Sequence, residues 1–271
     1  MGSRLIGAAA IGATARRLWQ ALPRARKALL DLVYPPRCVW CHDEADSPEY
    51  DRIALCLHCR SELAPPVLAW CGKCGAPLGG AIADGLENLP ADCFHCQGEK
   101  YPWQQTVALG AYAGELAKAV VRTKSPNADS LSLSLGRLLV DRRQSELEGL
   151  SCDTIIPMPL HWARRFVRGT NGPDLIAEAL ARHLQLPLRR HWLKRRRLTG
   201  LQGPSTPTER RQLQHDSFRS AKHLGGKRIL LVDDVLTTGA TAREATKTLM
   251  AAGAASVSIA VLARGIGEHS A

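Results

Sequence analysis

The stretch at residues 228–241 constrains the fold of this chain more than any other. Its sequence is Arg-Ile-Leu-Leu-Val-Asp-Asp-Val-Leu-Thr-Thr-Gly-Ala-Thr. The short, branched apolar run from Ile229 to Val232 follows two glycines, which indicates a buried parallel strand rather than a helix. From Ala240 the apolar residues recur at helical spacing, and Gly253 is predicted to end that helix. The segment between them therefore leads from a strand into a helix.

The turn after this strand has the chemistry of an anion site. At the N-terminus of a helix, free backbone N–H groups and the positive end of the helix dipole favour a phosphate. Gly239 allows a positive φ and a close approach of the backbone, and three threonine hydroxyls add hydrogen-bond donors. Asp233 and Asp234 would repel a phosphate that they faced, so paired sugar hydroxyls suit them better. The sequence therefore predicts a ribose beside a phosphate.

This stretch resembles the motif with which type I phosphoribosyltransferases bind 5-phosphoribosyl-1-pyrophosphate (PRPP). The motif is a hydrophobic run, two acids, two further residues and Thr-Thr-Gly-Ala-Thr. The resemblance implies an α/β fold in which helices flank a parallel sheet, and it places Asp233 and Asp234 on the ribose. It implies that the 5′-phosphate is bound by Thr237, Thr238, Gly239, Ala240 and Thr241. A strand that ends in acids can also form a metal-binding or phosphoacceptor site, but the full run of matching positions argues against that alternative.

Eight of the nine cysteines fall in four Cys-x-x-Cys pairs, a spacing that favours metal over disulfide and a reducing compartment, the cytoplasm. Two residues between cysteines form a turn that aims both sulfurs at one ion, and four thiolates suit tetrahedral zinc. Taken in sequence order, the pairs predict two ligand sets, Cys38, Cys41, Cys56, Cys59 and Cys71, Cys74, Cys93, Cys96. Joining the first pair to the third is the alternative. We expect about two structural zinc ions in a double zinc ribbon.

A second strand is predicted from Asp153, and it ends in the turn Pro157, Met158, Pro159. Ligands of open parallel sheets bind outside the carboxyl ends of the strands, so this turn could face the acid pair across one site. Arginine binds pyrophosphate oxygens through its planar fork. The candidate arginines after the turn are Arg164, Arg165 and Arg168.

The formal net charge of +11 indicates a polyanionic partner or substrate. The basic residues concentrate between 188 and 197, where Trp192 stands among them and could stack on a base. The candidate contacts to nucleic acid are Arg189, Arg190, Lys194, Arg195, Arg196 and Arg197. A solvated basic face is the alternative. No apolar run approaches the roughly 18 residues of a membrane span.

The order of these motifs resembles the ComF family over residues 35–264. The motifs are the four cysteine pairs, Ile-Pro-Met-Pro-Leu, Arg165-x-x-Arg-Gly-x-Asn171, Thr199-x-x-Gln202 and the stretch described first. The resemblance implies PRPP with Mg²⁺ as the ligand, with pyrophosphate near the Pro-Met-Pro turn. It also implies a role in DNA uptake during natural transformation, where single-stranded DNA is handled, and contacts with other competence proteins.

Four segments follow from these motifs: a basic tail at 1–34, the double zinc ribbon at 35–100, a phosphoribosyltransferase-like domain at 101–264 and a disordered tail at 265–271. The first functional hypothesis is a PRPP-binding, DNA-associated competence protein. The alternative is an active phosphoribosyltransferase that transfers phosphoribose to an unidentified nucleobase. No residue stands out in the sequence as the base that would deprotonate an acceptor, so the catalytic residues are unassigned.

Overall fold

The computed structural model describes residues 35–44, 50–67, 69–78, 93–97, 99–159, 171–195 and 217–266. The chain divides into two compact units, residues 1–56 and 57–271. The segment boundaries expected after residues 34, 100 and 264 stay predictions. The basic tail lies outside the described residues, as does all of the C-terminal tail but its first two residues.

The helices and strands of the described residues alternate in the second unit as an α/β fold requires. In chain order they are α1 (Tyr50–Ile53), α2 (Leu57–Leu63), β1 (Thr106–Ala111), α3 (Gly114–Arg122), α4 (Asp129–Arg142), α5 (Gln144–Glu148), β2 (Thr154–Pro157), α6 (Gly172–Leu184), β3 (Leu193–Arg195), β4 (Phe218–Ser220), β5 (Arg228–Leu236), α7 (Ala240–Ala251) and β6 (Ser256–Arg264). A single 3-10 turn covers Phe94–Cys96.

In the first unit, the described residues form a cysteine turn and the short helix α1. The Cys38–Cys41 turn is closed by the N–H of His42, which donates to the Cys38 carbonyl at 2.9 Å. His42 has a φ of 67°, the left-handed conformation that such a turn requires. The N–H of Val39 donates to the carbonyl of Ala54 at 3.1 Å, which ties the turn to the chain after α1.

The second unit is built on a four-stranded parallel sheet in the order β1-β6-β5-β2. The strand and helix predicted around the acid pair are confirmed: β5 continues through the acids to Leu236, and α7 begins at Ala240. β6 is buried at every position, as the pairing of both its edges requires. The parallel strands end at one edge of the sheet, which brings the turns after β2 and β5 together.

The core beneath this edge is formed by strand residues and one face of α7. Leu231 and Ile259 are fully or almost fully buried, and they pack with Ala245 and Leu249 of α7 and with Trp103. Burial of such side chains stabilises a fold by about 1.5–3 kcal/mol each. The site at the sheet edge therefore rests on a packed layer rather than on loops alone.

β3 and β4 pair as a separate two-stranded antiparallel ribbon. In the sequence both strands fall between α6 and β5. None of the helices in the described ranges is long and apolar enough to cross a membrane.

Candidate functional site

A cavity of about 750 Å³ opens at the carboxyl ends of β2 and β5. Its lining joins the acid pair, the loop after β5, the end of the Pro-Met-Pro turn and two basic side chains. The lining residues are Tyr112, Lys124, Met158, Pro159, Pro173, Arg195, Asp233, Asp234, Val235, Leu236, Thr237, Thr238, Gly239, Ala240, Thr241 and Ala242. The structure thus brings together groups that the sequence placed in separate motifs.

The loop from Thr237 to Thr241 has the geometry expected of an anion cradle. Gly239 adopts a φ of +75° immediately before α7, so the loop turns sharply into the helix. No acidic residue lies in the first turn of α7, and the threonine side chains are exposed to the cavity side. The positive end of the helix dipole is therefore left without a neutralising carboxylate in that turn.

The two acids of the site are held in different environments. Asp234 forms an ion pair with Lys124, whose Nζ lies 3.2 Å from Oδ2. Asp233 accepts a hydrogen bond from the backbone N–H of Asp234 at 2.9 Å. Burial raises the pKa of Asp233 well above its usual range, and the adjacent Asp234 carboxylate raises that pKa further. The two carboxyl groups therefore differ: Asp234 is paired with a cation, and Asp233 is protonated more readily than an ordinary aspartate.

Lys124 and Tyr112 are site residues that the sequence analysis missed. Lys124 lies just after α3 in a polar segment, and no local pattern marks it as part of a site. Tyr112 follows β1, so it stands at the same carboxyl edge of the sheet as the acids. The sequence marks Tyr112 as a site candidate only through its position directly after a strand.

Arg264, at the end of β6, stabilises the loop after β5 through hydrogen bonds to backbone carbonyls. Its Nη1 donates to the carbonyls of Leu236 at 3.0 Å and Thr237 at 2.5 Å, and also to the carbonyl of Gly265. The residue is 7% exposed. A buried cation on three carbonyls fixes the point where β5 ends and the loop begins.

The Pro-Met-Pro turn is positioned by backbone and side-chain hydrogen bonds. Pro157 is the last residue of β2, and the N–H of Met158 donates to the carbonyl of Val232 at 2.7 Å. The amide of Asn171 is buried and donates to the Met158 carbonyl at 3.1 Å. Met158 and Pro159 then reach the cavity. The three arginines expected on the pyrophosphate side, Arg164, Arg165 and Arg168, lie outside the described residues.

The cysteines cluster in sequence order, and the alternative pairing is not observed. The sulfurs of Cys38, Cys41, Cys56 and Cys59 all lie within 4.8 Å of one another, and so do those of Cys71, Cys74, Cys93 and Cys96. In the second cluster the Cys71 and Cys96 sulfurs are 3.5 Å apart.

These donor sets fit a metal ion. Burial raises the pKa of the Cys93 thiol to about 11, and the nearby Cys74 and Cys71 thiolates add to that increase. Burial also raises the pKa of Cys96, and hydrogen bonds with Cys74 and Cys71 and then the charges of those two residues raise it further. Four thiolates at this spacing repel one another unless a cation lies between them, and zinc prefers four sulfur ligands in such an arrangement.

The basic run is divided between two surfaces. Arg195 lines the cavity and lies over the ring of Phe218, with 5.2 Å between its guanidinium carbon and the ring centroid. Lys194 is exposed and stands directly opposite Arg219 in the β3–β4 pair. Two like charges face each other there, which destabilises a ribbon unless an anion binds.

The remaining candidates of this run have internal partners or lie beyond the described part of the chain. Arg190 forms an ion pair with Glu178 at 2.9 Å, so part of its charge is neutralised. Arg189 is exposed and lies 5.2 Å from the centroid of the Trp192 ring. Arg196 and Arg197 are not among the described residues. Arg219 was missed by the sequence analysis because its role depends on strand pairing.

The fold and the site define a phosphoribosyltransferase-type α/β domain combined with a double zinc ribbon. Two family models match accordingly, the double zinc ribbon domain over residues 29–97 and the phosphoribosyl transferase domain over residues 175–269. The chain is 30% identical to competence protein F of Haemophilus influenzae over 221 residues, which cover 77% of this chain and 96% of that protein.

It is also 31% identical to DNA utilization protein YhgH of Escherichia coli O157:H7 over 199 residues, 72% of this chain and 83% of that protein. The chain belongs to the family of competence protein F, which confirms the resemblance drawn from its motifs. Among solved structures, a purine phosphoribosyltransferase from Pyrococcus horikoshii Ot3 aligns with 20% identity and a TM-score of 0.31 over 59% of this chain and 78% of that one. That similarity is too low to add to the assignment.

Proposed function

We propose that this protein binds PRPP with Mg²⁺ in the cavity at the carboxyl ends of β2 and β5 and acts in DNA uptake by handling single-stranded DNA. The first part is carried by one observation: the Asp233–Asp234 pair and the loop before α7 line the same cavity. The names of two relatives, competence protein F and DNA utilization protein YhgH, support the second part.

In this proposal each part of PRPP meets the chemistry it requires. The ribose hydroxyls donate to Asp233 and Asp234, and the 5′-phosphate accepts from the loop of residues 237–241. The pyrophosphate and Mg²⁺ lie toward the Pro157–Pro159 turn and the arginines that follow it. Mg²⁺ prefers oxygen ligands and is usually bound through phosphates and one or two carboxylates.

We propose structural zinc for the two cysteine clusters. Each offers four sulfurs, and among the described residues no histidine or carboxylate joins either set, which is the ligand composition of a closed structural site. We also propose a cytoplasmic location and contacts with other proteins of the competence machinery; the paired thiols support the first, because thiols persist in a reducing compartment, and the name of one relative, competence protein F, supports the second.

An active phosphoribosyltransferase is the second candidate, and the match of residues 175–269 to the phosphoribosyl transferase domain favours it. In that reaction the bond between C1′ and the pyrophosphate oxygen breaks, pyrophosphate leaves with the bonding electrons, a nucleobase nitrogen bonds to C1′, and the proton of that nitrogen passes to pyrophosphate or water. The cavity would have to admit the base beside PRPP.

Calorimetric titration with PRPP and Mg²⁺ tests the ligand. We expect binding by the wild-type chain and a loss of affinity of at least about 100-fold in the double variant Asp233→Asn, Asp234→Asn, because hydrogen bonds to charged groups contribute about 1.5–3 kcal/mol each. Asp141→Asn removes an exposed acid from α4 and is the matched control. Unchanged affinity in the double variant would refute the site.

Pyrophosphate release with a panel of nucleobases then separates the two candidates. Release that depends on one base, and that is lost in the double variant, identifies an enzyme. Tight binding without release identifies a binding module.

A further inference from the structure

One buried side chain, Trp103, connects the second cysteine cluster to the phosphate-binding loop. The residue is 1% exposed. Its Nε1 donates to the carbonyl of Lys73 at 3.1 Å, and Lys73 stands in the Cys71–Cys74 turn. The far edge of the same indole lies under Gly239: a Cβ placed there would be 3.0 Å from Trp103 Cη2. The side chain therefore contacts a metal-ligand turn and the phosphate loop at once.

The contact with the cysteine turn is made by several hydrogen bonds rather than one. Thr106 Oγ1 accepts from the indole N–H at 2.9 Å and donates to the Lys73 carbonyl at 2.9 Å. The N–H of Thr106 donates to the Gly72 carbonyl at 2.7 Å, and Lys73 Nζ donates to the Trp103 carbonyl at 3.2 Å. The turn and the start of β1 thus form one hydrogen-bonded unit.

The Cys93–Cys96 half of the cluster is linked to the first turn of α7 by a second set of contacts. The N–H of Glu99 donates to the carbonyl of Cys96 at 2.9 Å. Arg243 of α7 donates to Glu99 at 3.0 Å and to the carbonyl of Lys100. Its guanidinium lies 5.5 Å from the centroid of Tyr101, whose ring is 4.7 Å from that of Trp103. Both sides of the cluster are therefore joined to the loop or to its helix.

We propose that the second cysteine cluster sets the conformation of the phosphate loop, so that metal binding at the cluster and phosphoribosyl binding at the loop favour each other. Trp103 and Thr106 are positioning residues in this coupling. The inference rests on the proposed function, in which the loop binds PRPP and the cluster binds zinc. Coupling between two binding equilibria is reciprocal, so it can be measured from either site.

The physical basis is the geometry of the Cys71–Cys74 turn. A cation bound to the four sulfurs would restrict the Cys71–Cys74 turn and with it the Lys73 carbonyl that accepts from the indole N–H, whereas a turn without the cation is free to leave that position. Trp103 then loses a fixed acceptor, and Gly239 loses the surface against which the loop packs. The backbone N–H groups of the loop would no longer converge on one phosphate.

Two threonine-to-valine substitutions provide a matched pair of variants. Thr106→Val keeps the side-chain shape and removes the hydroxyl that bridges Trp103 and Lys73. Thr154→Val makes the same change at the first residue of β2, where a 1% exposed threonine donates to the Pro187 carbonyl at 2.7 Å and is not part of this network. Trp103→Phe is a stronger third variant, because it removes the indole N–H and the edge under Gly239.

The first measurement is zinc transfer from the full chain to a chromophoric chelator, with zinc content determined beforehand. In the wild type and in Thr154→Val, PRPP with Mg²⁺ should protect one of two sites, raising its apparent zinc affinity, read from transfer at equilibrium, by about 5-fold or more, the lower range of measured couplings. In Thr106→Val and Trp103→Phe that protection should fall to less than half of its wild-type value. Equal protection in all four proteins would overturn the coupling.

The second measurement needs no PRPP and so separates this inference from the proposed function. Amide hydrogen exchange at residues 237–241 should accelerate in zinc-loaded Thr106→Val but not in zinc-loaded Thr154→Val, while residues 155 and 156 stay protected in both. An accelerated loop in a protein that fails to bind PRPP would support the coupling and contradict the proposed function. Loop exchange at the wild-type rate in Thr106→Val would overturn the coupling, even if PRPP binds.

Discussion

Gly239 is the residue at which backbone conformation and packing are required together. Its φ of +75° is one that residues with a side chain rarely adopt, and the space where a Cβ would lie is closed by Trp103. We therefore predict that Gly239→Ala lowers the free energy of unfolding by about 1–2 kcal/mol for the left-handed backbone and by about 1–3 kcal/mol more for overpacking. Urea titration measures the sum.

Gly226 supplies the control for this prediction. It has nearly the same φ, +74°, but nothing lies within 4 Å of a Cβ built there. Gly226→Ala should show only the backbone contribution and leave PRPP affinity unchanged. If both alanine variants lose the same stability and both keep PRPP affinity, the contact between Gly239 and Trp103 has no energetic weight.

At the residue scale, the sequence indicated the acids and threonines that line the cavity but not the cations that contact them. Asp233, Asp234 and the threonines of the loop are adjacent in the chain, so a local motif was enough to find them. Lys124 and Arg264 join the site only because the sheet brings distant segments to one edge. No spacing rule encodes such contacts.

At the scale of elements, β2 and β5 are joined at their starts by an ion pair. Arg228 donates to both carboxylate oxygens of Asp153, at 2.7 and 3.2 Å, and its backbone N–H donates as well. These hydrogen bonds lower the pKa of Asp153 to about 2. The pair defines the register of the two strands at the edge of the sheet opposite the cavity.

This pair predicts a specific dependence of stability on pH. The folded-state pKa of Asp153 is below its unfolded value of about 3.9, so its stabilising contribution is present above about pH 4 and is lost as the pH falls toward about 2. Asp153→Asn should be less stable than the wild type above pH 4, by about 1 kcal/mol or less because the pair is partly exposed.

Urea titrations between about pH 5 and about pH 2.5 measure this difference, which should shrink as the pH falls. The exposed Asp141→Asn variant should show no such trend. A constant difference across that range would mean that Asp153 acts through packing and not through its charge.

Elements with a strong local pattern were predicted, whereas the ribbon of β3 and β4 was not. Ile229 to Val232 form a branched apolar run, and the following helix has a clear period, so β5 and α7 were identified. β3 and β4 have three residues each, and their pairing of Lys194 with Arg219 crosses a long intervening segment. Such pairing is decided by tertiary contacts rather than by propensity.

At the scale of the whole molecule, the net charge of +11 favours a polyanion. Lys194 and Arg219 have no ion-pair partner within the described ranges and face the same side of the ribbon. We predict that Lys194→Gln with Arg219→Gln weakens single-stranded DNA binding and makes its salt dependence shallower by about 0.7 per lost phosphate contact. Affinity measured at several salt concentrations gives the slope.

The control removes the same charge elsewhere. Lys118→Gln with Lys247→Gln takes two cations from helices, where each pairs with a glutamate three residues away. That variant should keep the wild-type slope. Equal slopes in both double variants would assign the ribbon cations to a solvated face, the alternative left open by the sequence.

The position of β6 in the sheet bears on how the chain is made. β1 and β5 are not paired with each other, because β6 lies between them and pairs with both. Among the described strands, β6 is the last to be synthesised. A chain still on the ribosome before Ser256 has emerged holds two apolar strand edges with no partner, and it lacks the Arg264 that supports the loop. The ligand cavity is therefore assembled after translation has passed β6, and earlier chains would expose the surfaces on which chaperones act.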